Sequence, residues 1–438
     1  MAIDPILYTH PSDQAALQAL QAIPGFTQLL KAFMTHWSER LYRIENMATN
    51  LRISEKQLPK YYHMLPPICE KLGIEVPELY LAHDIEPDIY TFGETKPFIV
   101  ITSELAKNLP EELIPTVLAR ECGHIACRHV LYSTMGRLIL NGSINLLGLG
   151  DLVSFPLKSA FYYWMRCSEF SADRAAAICD GSGDNVLKLC AFFAGYHKRL
   201  DGELNVEAFL EQAEEYKALV DESAVNKSLA FLMFSDNAHP INVLRAYECH
   251  QWQKEDSFRR MLQYLDGDRT HLPLPHPAKH YAGISCKEAR EQLESMGFSN
   301  FRLVRSPYRS HNVALGHVVD ITADGQPLVQ GGWVSKDACF EISYYEPPTQ
   351  QELAAAHPGE VQVPRNSVQY VGMPYQNAVE ELKAAGFTAV TCHGQKAPLA
   401  GLLLKSGSIT QISIGGRSFF EKGLWFACDA PVKIIYHT

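Results

Sequence analysis

Between Leu118 and His129 the chain reads LARECGHIACRH, which contains Arg-Glu-x-x-His. On a helix, residues four apart share a face, so positions 120 and 124 point the same way. Two histidines at those positions would hold a zinc ion, and the glutamate after the first would polarise a zinc-bound water as general base. Glu121 and His124 are in place, but position 120 is arginine. A guanidinium stays protonated and offers a metal no lone pair. A glutamate and a histidine on one helix face are ordinary by themselves, so the weight of the motif rests on the elements that position it.

Pro110 with Glu111 and Glu112 reads as a helix start, with proline and acids in the first turn. Pro115 is either a kink in that helix or its true first-turn residue. The spacing predicts that the helix carries the motif as far as about Tyr132. Upstream, apolar residues recur at three- and four-residue intervals and predict helices over residues 11–75. ELYLAHD and KPFIVITSELA read as two short strands around a turn at Phe92–Gly93. Downstream, helical text continues to about Trp252, with a stop at Gly181. LILNGSINLLGLGDLVSFPLKSAFYYWM is apolar but broken by Asn141, Asn145, Asp151, Pro156 and Lys158. No run in it reaches the roughly 18 residues of a spanning helix. A buried helical hairpin is expected there, with a surface-lying or re-entrant membrane role as the alternative.

A proline- and histidine-rich linker follows at residues 266–280, and beyond it the chain repeats itself. YAGISCKEAREQLESMGF (Tyr281–Phe298) aligns without a gap on YVGMPYQNAVEELKAAGF (Tyr370–Phe387). Each copy leads into alternating apolar text and ends in a β-like segment, CFEISYY or VKIIYHT. So many matches at one offset predict two copies of one module, each a helix with a few strands, over residues 281–347 and 366–438.

The 438 residues suffice for two or three domains. With 47% hydrophobic and 20% charged residues the chain is globular rather than disordered. A formal net charge of -10 argues against a nucleic-acid partner and gives no pull toward anionic lipid. The eleven cysteines are odd in number and scattered, which fits reduced thiols better than a secreted disulfide framework. MAIDPILYTHPSDQAAL has neither a basic n-region nor a long apolar h-region, so no signal peptide is expected and the reading is cytoplasmic.

The text around the motif carries a resemblance. EELIPTVLARECGHIACRH resembles the active helix of the HtpX/CAAX-prenyl-protease family of zinc metallopeptidases, which have a gluzincin fold. SEFSADRAAA is similar to that family's later E-x-x-A-D element, IYTFGETKPFIVITSEL to the strand pair edging its substrate cleft, and AHPINVLRA to its late H-P-x-x-x-x-R element. Together these cover roughly residues 50–250. The resemblance implies an α+β chain with a mainly helical peptidase domain and a small edge sheet over residues 1–265. It implies Glu121 as general base, His124 and Glu169 as zinc ligands, and Asp173 orienting a ligand histidine. His239 would approach the metal or the substrate oxyanion, and Arg245 would stand beside the ligands. His129, five residues after His124, falls off the ligand face of a continuous helix and reads as a structural or hydrogen-bonding residue.

Arg120 is the departure from the family pattern, and it sits on a metal ligand. Even losses behind the ligands lower zinc affinity roughly 10–100-fold, so zinc is expected to be weakly held or absent. Two outcomes are open. Arg120 swings onto Glu121 or Glu169 as an internal cation, or His239 folds in to complete a distorted site. Cys122 and Cys127 leave a thiol-ligand alternative beside His124. The functional readings are a zinc endopeptidase of proteins or peptides impaired by Arg120, and a non-catalytic pseudopeptidase binding polypeptide or glycan. The two repeats resemble PASTA modules, which implies a glycan or peptide ligand, with packing or oligomerisation as the other use. Trp333 and Trp425 are either ligand-lining or core residues.

Overall fold

The computed structural model describes residues 2–196, 200, 202–226, 241–307, 313–396 and 405–438. The chain divides into two compact units, Met1–Val304 with His317–Ser343, and Arg305–Gly316 with Tyr344–Thr438.

The first unit is built on a four-stranded sheet of strands β1 (Leu51–Ile53), β2 (Glu78–Ala82), β3 (Ile89–Phe92) and β4 (Phe98–Thr102), in the order β1-β2-β4-β3. β4 reads FIVIT and is buried at every residue, as a strand covered on both faces must be. β2 lies parallel to it, and β3 and β4 are antiparallel, with Thr91 opposite Ile99. The expected strand pair is therefore three strands with a short fourth. The edge strand β3 is the IYTF of the strand pair that the family resemblance implies, though alternation alone does not reveal it. Its four residues are too few for periodicity to register.

The active helix spans Ile114–Ala126, entered through a single 3-10 turn at Glu111–Leu113, with Pro115 in its first turn. Of the two readings of Pro115, the first-turn one holds. The helix stops at Ala126 rather than Tyr132. The Cys127 N–H turns back to the carbonyls of Gly123 and Ile125, Arg128 takes a left-handed conformation at φ 59°, and a new helix runs Val130–Leu140. That break falsifies the premise of one continuous helix through His129.

The active helix packs on a 26-residue helix, Phe155–Asp180, which ends at Gly181 with φ 80°. The second helix presents Ala172, Ala175, Ala176 and Ala177, all buried. A Cβ on Gly123 would fall 2.6 Å from the Cβ of Ala175 and 3.3 Å from the Cα of Ala172. The close crossing therefore needs glycine at 123. The N-terminal helix Pro11–Gln21 lies along the same long helix, and Leu20, Phe33, Met135, Phe161 and Trp164 share one apolar cluster with it. The broken apolar stretch forms two helices joined by short turns. Among the described residues no helix is long and apolar enough to cross a membrane.

In the repeat region, the sheet order Phe301–Ser306, Phe340–Tyr345, Val318–Ala323, Gln326–Pro327 is matched by Val390–Gln395, Val432–His437, Ile409–Ile414 in the second copy. Each copy's helix, Cys286–Ser295 or Tyr375–Ala384, ends in the same way. Gly297 and Gly386 have φ of 101° and 107°. The following Phe298 and Phe387 donate N–H bonds back to Leu293 and Leu382. This is a Schellman ending, and the phenylalanine and leucine it joins lie in one core. It accounts for the repeated Gly-Phe pair. The linker expected at 266–280 contains a strand, His271–Leu274, paired antiparallel with Gly332–Ser335. Proline and histidine composition concealed it, because alternate burial needs only Leu272 and Leu274.

Gly123→Ala should force the two helices apart and cost about 1–3 kcal/mol, the usual range for overpacking. Urea unfolding of the full chain measures this, and an unchanged midpoint would show that the crossing tolerates a methyl group.

Candidate active site

The active helix brings Arg120, Glu121 and His124 to its buried side, and the long helix brings Glu169 and Asp173 against them. Arg245 enters from the helix Asn242–Trp252. His239 lies outside the described residues, so the alternative in which it completes a metal site belongs there as well.

Arg120 is only 7% exposed. Its Nη1 donates to Glu121 Oε1 at 2.9 Å, and its Nη2 donates to Glu169 Oε2. Its Nε lies 3.7 Å from Asp173 Oδ1, within ion-pair range but too long for a hydrogen bond. Arg245 grips Asp173 with two bonds, Nε to Oδ2 at 2.8 Å and Nη2 to Oδ1 at 2.6 Å, and its Nη1 is 3.8 Å from Glu169 Oε2. Three carboxylates thus meet two guanidinium groups in a dry site. Burial and the Arg245 charge pull the Arg120 pKa down, while Glu121 and Asp173 push it back up. Burial raises the Glu121 carboxyl above its ordinary value, against Arg120 and the Thr91 hydroxyl, which favour the anion.

Asp173 was expected to orient a histidine. Its carboxylate is taken by Arg245 instead, because a bidentate guanidinium satisfies both buried oxygens at once. The cysteines are turned away from the site. Cys122 sits against Cys69, which together with burial keeps its thiol protonated. Cys127 lies at the helix end with Sγ 3.8 Å from Thr9 Oγ1, and burial pushes its thiol up to about 12. Neither thiol supports the cysteine-ligand alternative.

His124 Nε2 is 3.5 Å from Glu169 Oε1, and its Nδ1 meets His129 Nδ1 at 3.0 Å. His129 comes within reach because the helix breaks at Arg128. His129 Nε2 in turn lies 2.9 Å from Asp13 Oδ2. Asp13 also accepts from Trp164 Nε1 at 2.9 Å and from the Ser171 hydroxyl at 2.6 Å. Asp13 Oδ2 accepts from His129 Nε2 and so anchors that ring. The two rings share one hydrogen bond between their Nδ1 atoms, and His124 Nε2 faces Glu169. Burial and the neighbouring His129 and Arg120 charges hold the His124 pKa well below the ordinary value, so the ring stays neutral. Two contributors carried no signal in the sequence. One is Asp13, which reads as a helix first-turn acid. The other is Thr91 on β3, whose hydroxyl donates to Glu121 Oε2 at 2.8 Å.

Both oxygens of Glu121 therefore already accept hydrogen bonds, one from Arg120 and one from Thr91. Of the three positions at which the resemblance implies ligands, His124 and Glu169 carry donor atoms and the third is a guanidinium. Among the described residues no group of three His, Cys, Asp or Glu side chains is arranged to hold a metal ion. Among the described residues the donor set does not fit a zinc centre. Away from the site, Trp333 packs edge-on to Tyr264 and Trp425 stacks on His357 at 4.3 Å, each half-buried.

Comparison with known proteins places this arrangement. The model of peptidase family M48 matches residues 68–253. The plastoglobule-localized metallopeptidase 48 (chloroplastic) of Arabidopsis thaliana is 30% identical over 258 residues, which is 58% of this chain and 75% of that protein. A protease HtpX homolog of Ralstonia nicotianae is 23% identical over 175 residues, 34% of this chain and 60% of its own length. Among solved structures, the three-PASTA-domain region of a Ser/Thr kinase from Staphylococcus aureus aligns with 38% of this chain and 66% of its own, at 18% identity and a TM-score of 0.17.

Two outcomes test the buried network. Replacing Arg245 by methionine strands Asp173 in a dry site and should lower the unfolding free energy by about 3–5 kcal/mol. Adding Asp173→Asn should recover part of that loss in chemical denaturation. The second concerns Asp13. Burial raises its pKa, but His129 and the hydrogen bonds from Ser171 and Trp164 outweigh this and hold it below the ordinary value. A depressed folded-state pKa stabilises above the unfolded value, near 3.9, and that stabilisation fades as pH falls through the folded one. Asp13→Asn should therefore lower stability at pH 7 and flatten the loss below pH 4, as read from melting temperatures across pH 2–7.

Proposed function

The chain belongs to peptidase family M48, and from that premise we propose that it is a pseudopeptidase. In this reading an internal guanidinium stands in the metal's place and the cleft holds polypeptide without efficient hydrolysis. The observation that carries the reading is Arg120, buried and bonded to both Glu121 and Glu169. A zinc ion would have to displace a charge already neutralised by those carboxylates, and among the described residues it would find two donors where three are needed. Glu121, bonded through both oxygens, would have to shed a partner before accepting a proton from water.

Polypeptide binding is supported by the sheet. β3 is the edge strand, it pairs with β4 on one side, and its Thr91 touches Glu121. An extended peptide laid antiparallel along such an edge gains main-chain hydrogen bonds next to the site. The family's peptidase activity makes protein or peptide the substrate class, and the loss concerns the chemical step rather than the groove.

The test compares this chain with Arg120→His. After metal-replete purification the unmodified chain should carry well under one zinc per molecule and leave labelled casein intact while binding it in fluorescence anisotropy. Arg120→His should raise zinc affinity by ~100-fold or more and bring measurable casein cleavage. Stoichiometric zinc with steady turnover in the unmodified chain would overturn the proposal.

A further inference from the structure

A hollow of about 490 Å³ lies on the side of β3 away from the active helix. Side chains alternate along a strand, so Tyr90 and Phe92 face away from Thr91 and its partner Glu121. The hollow is closed by the helix Glu39–Thr49 on one side and by the end of the helix Val130–Leu140 on the other. Its volume falls within the ~300–1,000 Å³ typical of small-molecule sites.

The floor is aromatic. Tyr42 lies 5.3 Å from Phe92, Phe92 is 6.3 Å from Phe98, and Tyr90 stands edge-on to Phe92 at 6.0 Å. Leu138 and Leu140 add aliphatic surface. Set into this apolar wall is Asn46, 5% exposed. Its carbonyl oxygen accepts from Asn50, but its amide NH2 is buried and, among the described residues, has no hydrogen-bond partner. An orphan donor of that kind is destabilising unless something brings it an acceptor. Arg137 is the one cation among the lining residues. Its guanidinium lies 5.3 Å from the Tyr90 ring and makes a 3.7 Å ion pair with Asp88 on a half-exposed face. The one lining carboxylate, Glu45, is solvent-exposed on the same helix as Asn46.

We propose that this hollow binds a hydrocarbon-bodied carboxylate of the fatty-acid class, with its tail on the aromatic floor and its carboxylate shared between the Asn46 amide and the Arg137 guanidinium. An apolar body fits the rings and leucines. An oxygen acceptor answers the orphan donor, and a negative charge answers Arg137. The hollow lies on the other face of β3 from the Arg120 cluster.

Calorimetric titration of the full chain with dodecanoate below its micelle concentration tests the proposal, beside dodecanol and dodecylamine of the same length. Dodecanoate should saturate one site, dodecanol should bind roughly tenfold more weakly for want of the charge-assisted bond, and dodecylamine should bind weakest. Asn46→Leu and Arg137→Gln should each weaken dodecanoate about tenfold. Asn46→Leu should also melt higher than the unmodified chain without ligand, because it removes the orphan donor at little change in volume. A packing residue with no ligand role would melt lower on replacement. Arg137 is half-exposed, so its variant carries the test if the Asn46 variant does not fold. Absence of saturable binding, dodecylamine binding as tightly as dodecanoate, or undiminished dodecanoate affinity in both variants would overturn the proposal.

Discussion

The arrangement of the active region depends on one buried cation. Arg120 stands at a helix crossing where Glu121, Glu169 and Asp173 converge, and three carboxylates cannot share a dry pocket without positive charge between them. A divalent metal would supply that charge through coordination. Here it is supplied covalently, by side chains on two helices, with Arg245 completing the neutralisation. Arg120 therefore leaves the electrostatic requirement of the fold satisfied. A peptidase architecture can persist around it for that reason.

Geometry imposes a second constraint. The carboxylates reach Arg120 only because the active helix and the long helix approach closely, and Gly123 with the alanines of the partner helix allows that approach. The motif's glycine is thus a packing residue in the middle of a chemical signature. The break at Cys127–Arg128 is equally local, yet it folds His129 back onto His124 and so makes a side chain five residues away a neighbour.

Much of this was legible in the sequence and some was not, for identifiable reasons. The active helix, Glu169 and Asp173 lie in contiguous text with helical spacing, and Gly181 marks the stop of their helix by its left-handed conformation. The repeat was legible through a glycine that its helix ending requires. Asp13 and Thr91 were hidden because their partners are distant in sequence and nothing in an isolated acid or threonine announces a buried bond. Asp173 and Arg245 were both legible as residues behind the ligand positions, but their pairing across two helices was not. The end of the active helix was misjudged because Arg128 adopts a backbone conformation its residue type rarely signals.

Asp13 has a consequence for where this protein can be divided. It belongs to the helix Pro11–Gln21, well before residue 68, where the family match begins. Yet it anchors His129 and, through it, the ring of His124. The edge of the family match is thus not a boundary of self-sufficiency. A chain trimmed to the matched residues would keep every letter of the motif and lose the carboxylate that holds His129 against its histidine.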